Sequence, residues 1–335
     1  MPKATDKFAD STDMSGMNDV VGDALISLHI SGSVLLREAY SPPWAITVPR
    51  ADQLAALLGV KDGARVVAFH LVEFGHCAIE PEGGANVLLK AGEMAVCFGG
   101  EAHRISQGKA PRTQSIETLL AGGKNAQRPP ATSLASGTSL LCGVFLLHHT
   151  TFNPLFSALP RLMHTTLSRS GELHNLSGVA RLMAEEIDRK SLGGRYIVER
   201  LLEVLCAEAV RAHIETVPYQ EASWFQGIKD PIVGRAIAAI HMHPGKDWSV
   251  QRLARVVAMS PSRFAARFSE SLGDSPMAYV TKWRINVACR QLVTSQQGID
   301  QIAASVGYES SAAFNRAFKK HVGLPPAAWR TRERA

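Results

Sequence analysis

VQRLARVVAMSPSRFAARFSESLGDSP (Val250–Pro276) and IDQIAASVGYESSAAFNRAFKKHVGLPP (Ile299–Pro326) are two copies of one pattern. Phe264, Phe268, Gly273 and Pro276 recur 50 residues later as Phe314, Phe318, Gly323 and Pro326. Upstream, Leu253, Ala254 and Val257 recur 49 residues later as Ile302, Ala303 and Val306, so the second copy holds one extra residue between its two halves. An insertion tolerated there marks a turn. Each copy therefore reads as helix, short turn, helix, with Ser260 or Ser310 placed to cap the second helix and Gly273 or Gly323 to end it. The Phe pairs at i and i+4 anchor that second helix, while Ala254 and Ala303 are small where the helices cross.

The opposite face of each second helix is free for a partner. SPMAYVTKWRINVACRQLVTS, Ser275 to Ser295, joins the copies as a predicted helix about 30 Å long at ~1.5 Å per residue. Successive major grooves on one side of duplex DNA lie ~34 Å apart. Charge supports the same partner: from Pro231 onward there are 15 Lys and Arg against 6 Asp and Glu, whereas the remainder has 21 against 24. The basic excess of the chain sits in this last third, where it attracts a polyanion.

From these residues the stretch Asp230–Arg330 resembles the DNA-binding domain of the AraC/XylS family of transcriptional regulators. The resemblance implies both helix-turn-helix copies in one chain, double-stranded DNA as partner, a companion domain that senses a small-molecule effector or dimerises, and RNA polymerase as a further partner. In the first copy the predicted DNA-binding residues are Ser260, Ser262, Arg263, Ala266 and Arg267. In the second they are Ser310, Ser311, Ala312, Asn315, Arg316, Lys319 and Lys320. Arginine suits bidentate bonding to guanine, Asn suits adenine or phosphate, and Lys neutralises phosphate. Arg316 occupies the repeat position of Ala266, so the copies are expected to read different bases.

Upstream the texture changes. Between Asp23 and Phe152, short apolar runs such as ARVVAFHLVEF, ANVLLKAGEMAVCF and TSLLCGVFLL alternate with Gly and Pro, which predicts a β-rich domain. GEMAVCFGGEAHRISQ, Gly92 to Gln107, is similar to the second motif of the cupin β-barrel. Gly92, Gly100 and His103 fit its spacing, while Phe98 stands for its Pro and Gln107 for its Asn. Of the first cupin motif only His70 remains. The resemblance implies a cupin-like effector domain; His70, His103 and Cys142 on three predicted strands form a candidate metal set suited to Zn²⁺, with buried, hydrogen-bonded histidines and a core cysteine as the alternative. Cys77 and Cys97 are the candidate redox-sensing thiols.

The expected organisation is a tail over 1–22, the cupin-like domain with C-terminal helices over 23–215, a linker over 216–230 and the tandem helix-turn-helix domain over 231–335. The fold class is α+β multidomain. The segment 107–138, rich in Gly, Pro, Ser and Lys, reads as a long loop. The stripe Ile197, Leu201, Leu205 and Ala209 suits dimerisation or packing within its own domain. At 335 residues two cores are expected. Five cysteines without a CxxC pair, no apolar run of membrane length and a polar, acid-rich N-terminus point to reduced thiols, no membrane and the cytoplasm. No phosphate-binding GxxxxGK[ST], GxSxG elbow or HExxH is present. A regulator is the leading expectation; a cupin-type metal-dependent enzyme carrying a DNA-binding domain is the alternative.

Overall fold

A computed structural model describes residues 19–60, 63–109, 113–122, 137–148, 150–166, 175–216 and 223–334. The chain runs through α1 (Val20–Leu28), β1 (Ser31–Tyr40), β2 (Trp44–Val48), α2 (Ala51–Leu57), β3 (Ala64–Phe74), β4 (His76–Pro81), β5 (Val87–Lys90), β6 (Glu93–Cys97), β7 (His103–Gln107), β8 (Gln114–Ser115) and α3 (Ile116–Leu120). Next come β9 (Thr138–His148), α4 (Pro154–Ala158), β10 (Met163–Thr166), α5 (Asn175–Arg189), α6 (Gly194–Thr216), α7 (Trp224–Lys229), α8 (Pro231–Met242) and α9 (Val250–Val256). It ends with α10 (Pro261–Leu272), α11 (Pro276–Thr294), α12 (Ile299–Ser305), α13 (Ser311–Val322) and α14 (Pro326–Arg334). The expected long loop contains β8 and α3, and the expected linker contains α7; the remainder of that loop within 123–136, the linker residues 217–222 and the tail residues 1–18 lie outside the described residues. Two bodies result: a β body of residues 28–150 and 159–216, and a helical body of residues 19–27, 151–158 and 223–334.

In the β body the strands form two five-stranded sheets, ordered β1-β9-β3-β6-β10 and β5-β4-β7-β2-β8. Among the described residues the expected cupin-like β-barrel takes the form of two sheets not joined to each other by hydrogen bonds. The inner core takes Ala68, Val72, Leu140 and Val144 from the first sheet and Ile46, Val48, Ile79 and Ile105 from the second. The first sheet is apolar on its other face too. There Phe69 stacks on Phe145 with centroids 4.6 Å apart, and α6 packs with buried Leu202, Leu205, Cys206 and Ala209. Burial on both faces explains why β3 and β9 read as nearly unbroken apolar runs instead of alternating. Of the stripe on α6, Leu205 and Ala209 turn into this core, whereas Ile197 stays exposed beside Val204 and Tyr196.

The helical body is built on the internal repeat. The turn between α9 and α10 reverses at Ala258, φ +55°, and that between α12 and α13 at Gly307, φ +82°; the extra residue of the second copy falls between Gly307 and Ser310. Both second helices end on a left-handed glycine, Gly273 and Gly323, which carries no Cβ to clash there. Phe264, Phe268, Phe314 and Phe318 are fully buried. The repeat extends further than the four shared positions: Tyr279 lies 5.7 Å from Phe268, and Trp329, its counterpart 50 residues on, lies 5.9 Å from Phe318. Each copy is thus closed by the start of a third helix, α11 or α14. Arg284 of α11 donates to the carbonyls of Pro244 and Lys246 at 2.8 Å and lies over the Tyr308 ring, bracing the second turn.

Candidate functional site

Burial of the Phe pairs forces the opposite faces of α10 and α13 outward. On α10, Ser262, Arg263 and Ala266 are exposed; on α13, Ala312, Arg316, Lys319 and Lys320 are exposed. Four candidate residues are engaged elsewhere. Arg267, half-buried, donates Nε and a terminal N–H to the Asp230 carboxylate at 3.0 and 2.8 Å. Its guanidinium ties α10 to the start of α8, a partner that the other expected DNA contacts of α10 do not have. Asp230 also caps α8, accepting from the N–H groups of Ile232 and Val233. Burial opposes its ionisation, but Arg267 and the two N–H groups outweigh it and hold the carboxyl below the usual carboxylate range.

Asn315 donates back to the carbonyl of Ser311 at 2.7 Å, and the Ser311 hydroxyl bonds Asp300. Ser310 caps α13 by accepting from the N–H of Ala313 at 3.2 Å. Ser260 holds the corresponding backbone position, but its exposed hydroxyl makes no cap bond, a correction to the expected symmetry. The outward basic set is therefore asymmetric: Arg263 on one helix, and Arg316 with Lys319 and Lys320 on the other. α11, which joins the copies, is ~28 Å long at ~1.5 Å per residue.

The β body holds a second cluster between its sheets. His70 sits on β3 opposite Cys142 of β9 and Ala95 of β6, while Cys97 sits opposite Ala68; alternation along the strands turns all three polar side chains to the inner face. His103, at the start of β7, reaches in from the other sheet. The His70 and His103 Nε2 atoms are 2.7 Å apart, Cys142 Sγ is 3.1 Å from His70 Nδ1, and Cys97 Sγ is 3.8 Å from His103 Nε2.

The partners fix the protons. His103 Nδ1 lies 3.2 Å from the carbonyl of Glu101, which only accepts, so Nδ1–H donates and Nε2 presents a lone pair. His70 then donates Nε2–H to His103, and its Nδ1 accepts from the Cys142 thiol. Burial lowers His103 to about 4 and, with His103 alongside, lowers His70 well below the usual imidazole range. Both rings are neutral at physiological pH.

The expected metal set is corrected in one member. The two nitrogens of an imidazole point in divergent directions, so Cys142 on the Nδ1 side of His70 stands away from the space that both Nε2 atoms face. The ligand atoms of His70, Cys97 and His103 instead lie within 4.8 Å of one another. Cys97 and Cys77 do not have the setting of reactive redox thiols, since burial pushes each up to about 12 and the group bonded by Cys97 is a neutral imidazole.

Residues 19–215 match the cupin family model and residues 253–332 match a helix-turn-helix domain. A cupin domain carried with paired helix-turn-helix repeats defines a two-domain DNA-binding regulator. The chain is 29% identical over 318 residues to the HTH-type transcriptional regulator AlkR of Acinetobacter baylyi, covering 93% of this chain and 99% of that one. It is 29% identical over 256 residues to the RCS-specific HTH-type transcriptional activator RclR of Escherichia coli, covering 73% and 87% respectively. The protein belongs to the AraC/XylS family of transcriptional regulators, with a cupin N-terminal domain. Among solved structures, the DNA-binding domain of AdpA in complex with a target DNA is 30% identical, covers 31% of this chain and 94% of that one, and gives a TM-score of 0.30. Among the described residues no helix is long and apolar enough to cross a membrane.

Proposed function

We propose that α10 and α13 read base edges in successive major grooves of an operator, while the cupin domain answers a small-molecule or reactive-species signal. The observation that carries this reading is the outward pair Arg263 and Arg316, each on a helix whose opposite face is pinned by two buried phenylalanines. Arginine at such a position bonds guanine bidentately, and Lys319 and Lys320 supply phosphate contacts. Ser260, Ser262, Ala266 and Ala312 complete the contact surface. The exposed Ile197, Val204 and Tyr196 on α6 favour a homodimer, which places four reading helices on a two-site operator and gains avidity. The effector shifts the population of a DNA-competent arrangement. RNA polymerase is the downstream partner, activation the outcome and the cytoplasm the location; no turnover chemistry is assigned.

The test is selection of genomic fragments by the full chain at physiological salt, compared with Arg263→Ala and Arg316→Ala. Recovery of one motif, with each variant relaxing preference at its own position by ~1–3 kcal/mol, is expected. Motif-free binding that varies only with salt would overturn base reading.

A further inference from the structure

We propose that His70 Nε2, His103 Nε2 and Cys97 Sγ form a binding site for one divalent transition metal of borderline softness, Zn²⁺ fitting best, with Cys142 holding His70 in register as a positioning residue. The donor set is nitrogen and sulfur without a carboxylate, which selects zinc-like ions over Mg²⁺ or Ca²⁺. The site draws on both sheets: His70 from β3 and Cys97 from β6 of one, His103 from β7 of the other.

The geometry is close to what a tetrahedral ion requires. With ~2.0–2.1 Å to nitrogen and ~2.3 Å to sulfur, the two Nε2 atoms stand roughly 3.3 Å apart and a nitrogen–sulfur pair roughly 3.6 Å. The observed separations are 2.7 Å between the histidines and 3.8 Å from His103 to Cys97, with His70 and Cys97 within 4.8 Å, so the ion enters by parting the hydrogen-bonded histidines by about half an ångström and drawing the thiol in toward His70. The surrounding bonds are of the kind that orient ligands. Glu101 already fixes the proton of His103 on Nδ1, leaving Nε2 for the metal. When the metal replaces the Nε2 proton of His70, that ring takes its other tautomer and donates Nδ1–H to Cys142 Sγ. The metal–sulfur bond forms as the Cys97 thiol gives up its proton to solvent, so one proton leaves per ion bound.

A fourth position and a route are both present. A cavity of about 10 Å³, lined by Cys97, His103, Ala68, Val66 and Leu54, is of the order needed for one water, which supplies the remaining ligand. Outside it, an open groove of about 350 Å³ is lined by His103 together with Glu80, Glu82 and Glu117 and by Arg104, which pairs with Glu80 at 2.9 Å; three carboxylates against one guanidinium leave the groove net negative, which draws cations toward the ligand.

The experiment loads the full chain with Co²⁺ and separately with Zn²⁺, one ion per chain, after removal of free metal. Expected is one bound equivalent by elemental analysis and, with Co²⁺, a near-ultraviolet sulfur-to-cobalt charge-transfer band with visible bands of tetrahedral intensity. Cys97→Ser removes the charge-transfer band and His103→Gln abolishes stoichiometric binding. Cys142→Ser keeps the band and weakens affinity by roughly 10–100-fold, as expected for a group that orients a ligand. Absence of bound cobalt and zinc in the unaltered chain overturns the proposal without recourse to any variant. So does a band that survives Cys97→Ser and disappears in Cys142→Ser.

Discussion

The imidazole of His241 lies flat against the indole of Trp283, with centroids 3.5 Å apart and planes 2° from parallel. Its Nε2 accepts from the Tyr279 hydroxyl at 2.9 Å, which in turn accepts from the Trp224 indole N–H. That chain leaves the proton on Nδ1, 3.7 Å from the Asp23 carboxylate on α1. Burial lowers the pKa of His241, and Asp23 opposes the shift without cancelling it.

A histidine held neutral by the fold binds fewer protons folded than unfolded. Its contribution to stability is whole above the unfolded value of ~6.5 and is lost as pH falls below that value toward its lowered folded one, at up to ~1.4 kcal/mol per pH unit. Urea unfolding at pH 7.5 and 5.5 is expected to show a smaller acid loss in His241→Gln than in the parent. An equal loss in both would place the acid sensitivity elsewhere.

Arg267→Ala is expected to leave the buried Asp230 with its two backbone bonds and no cation, costing about 1–3 kcal/mol of stability. Because the Asp230 pKa is held low, the contribution of the pair is complete above pH ~4 and lost as pH falls below it. The preferred DNA motif of this variant, measured by the same fragment selection, should be unchanged. A changed motif would return Arg267 to the reading surface.

Ala258 adopts φ +55° at the turn where the second copy has Gly307. A Cβ is disfavoured there by ~1–2 kcal/mol, and glycine recovers part of this after its greater loss of chain entropy. Ala258→Gly should raise stability by up to ~1 kcal/mol in chemical unfolding, while Gly307→Ala should lower it; a Cβ on Gly307 meets the Arg284 guanidinium at 2.6 Å.

Gly143 lets β9 pass under the Phe69 ring: a Cβ there meets the Ser33 carbonyl at 2.4 Å and the ring at 2.7 Å. Gly143→Ala is expected to lower the melting temperature of the β body while leaving the fluorescence of the helical body, which carries Trp224, Trp248, Trp283 and Trp329, to change in its own transition. A melting temperature equal to that of the parent would show that the strand has room to shift.

Phe268→Ala and Phe318→Ala each empty a fully buried ring position and are expected to cost ~3–5 kcal/mol. DNA affinity should fall for every sequence alike, because the whole helix loses its anchor. A loss confined to the preferred motif would argue instead for an altered helix presentation.

The helical body was legible because its pattern is written twice, and a spacing that recurs at 49 or 50 residues exposes helices, turn and buried face together. The third aromatic pair, Tyr279 and Trp329, carried the same signal, yet an exchange of residue type hid it. The ion pair of Arg267 was not legible, because helix periodicity turns the residue partly outward, whereas its partner, Asp230, is 37 positions away in sequence and is brought near only by packing. In the β body, alternation and apolar runs located the strands, but the strand carrying Cys97 could be aligned with His70 only through sheet order. Which nitrogen of His70 faces which cysteine is a property of ring orientation, and composition is silent on it.

The cross-strand partnership of His70 with Cys142, and of Ala68 with Cys97, makes the pairing of three strands chemically readable. Side chains alternate faces at every position, so a slip of one residue in β3 against either neighbour would send the imidazole to the outer surface and leave both thiols behind. The constellation is therefore a checksum on folding: only chains aligned in the native register bring nitrogen and sulfur together, and any probe sensitive to that proximity counts correctly folded molecules.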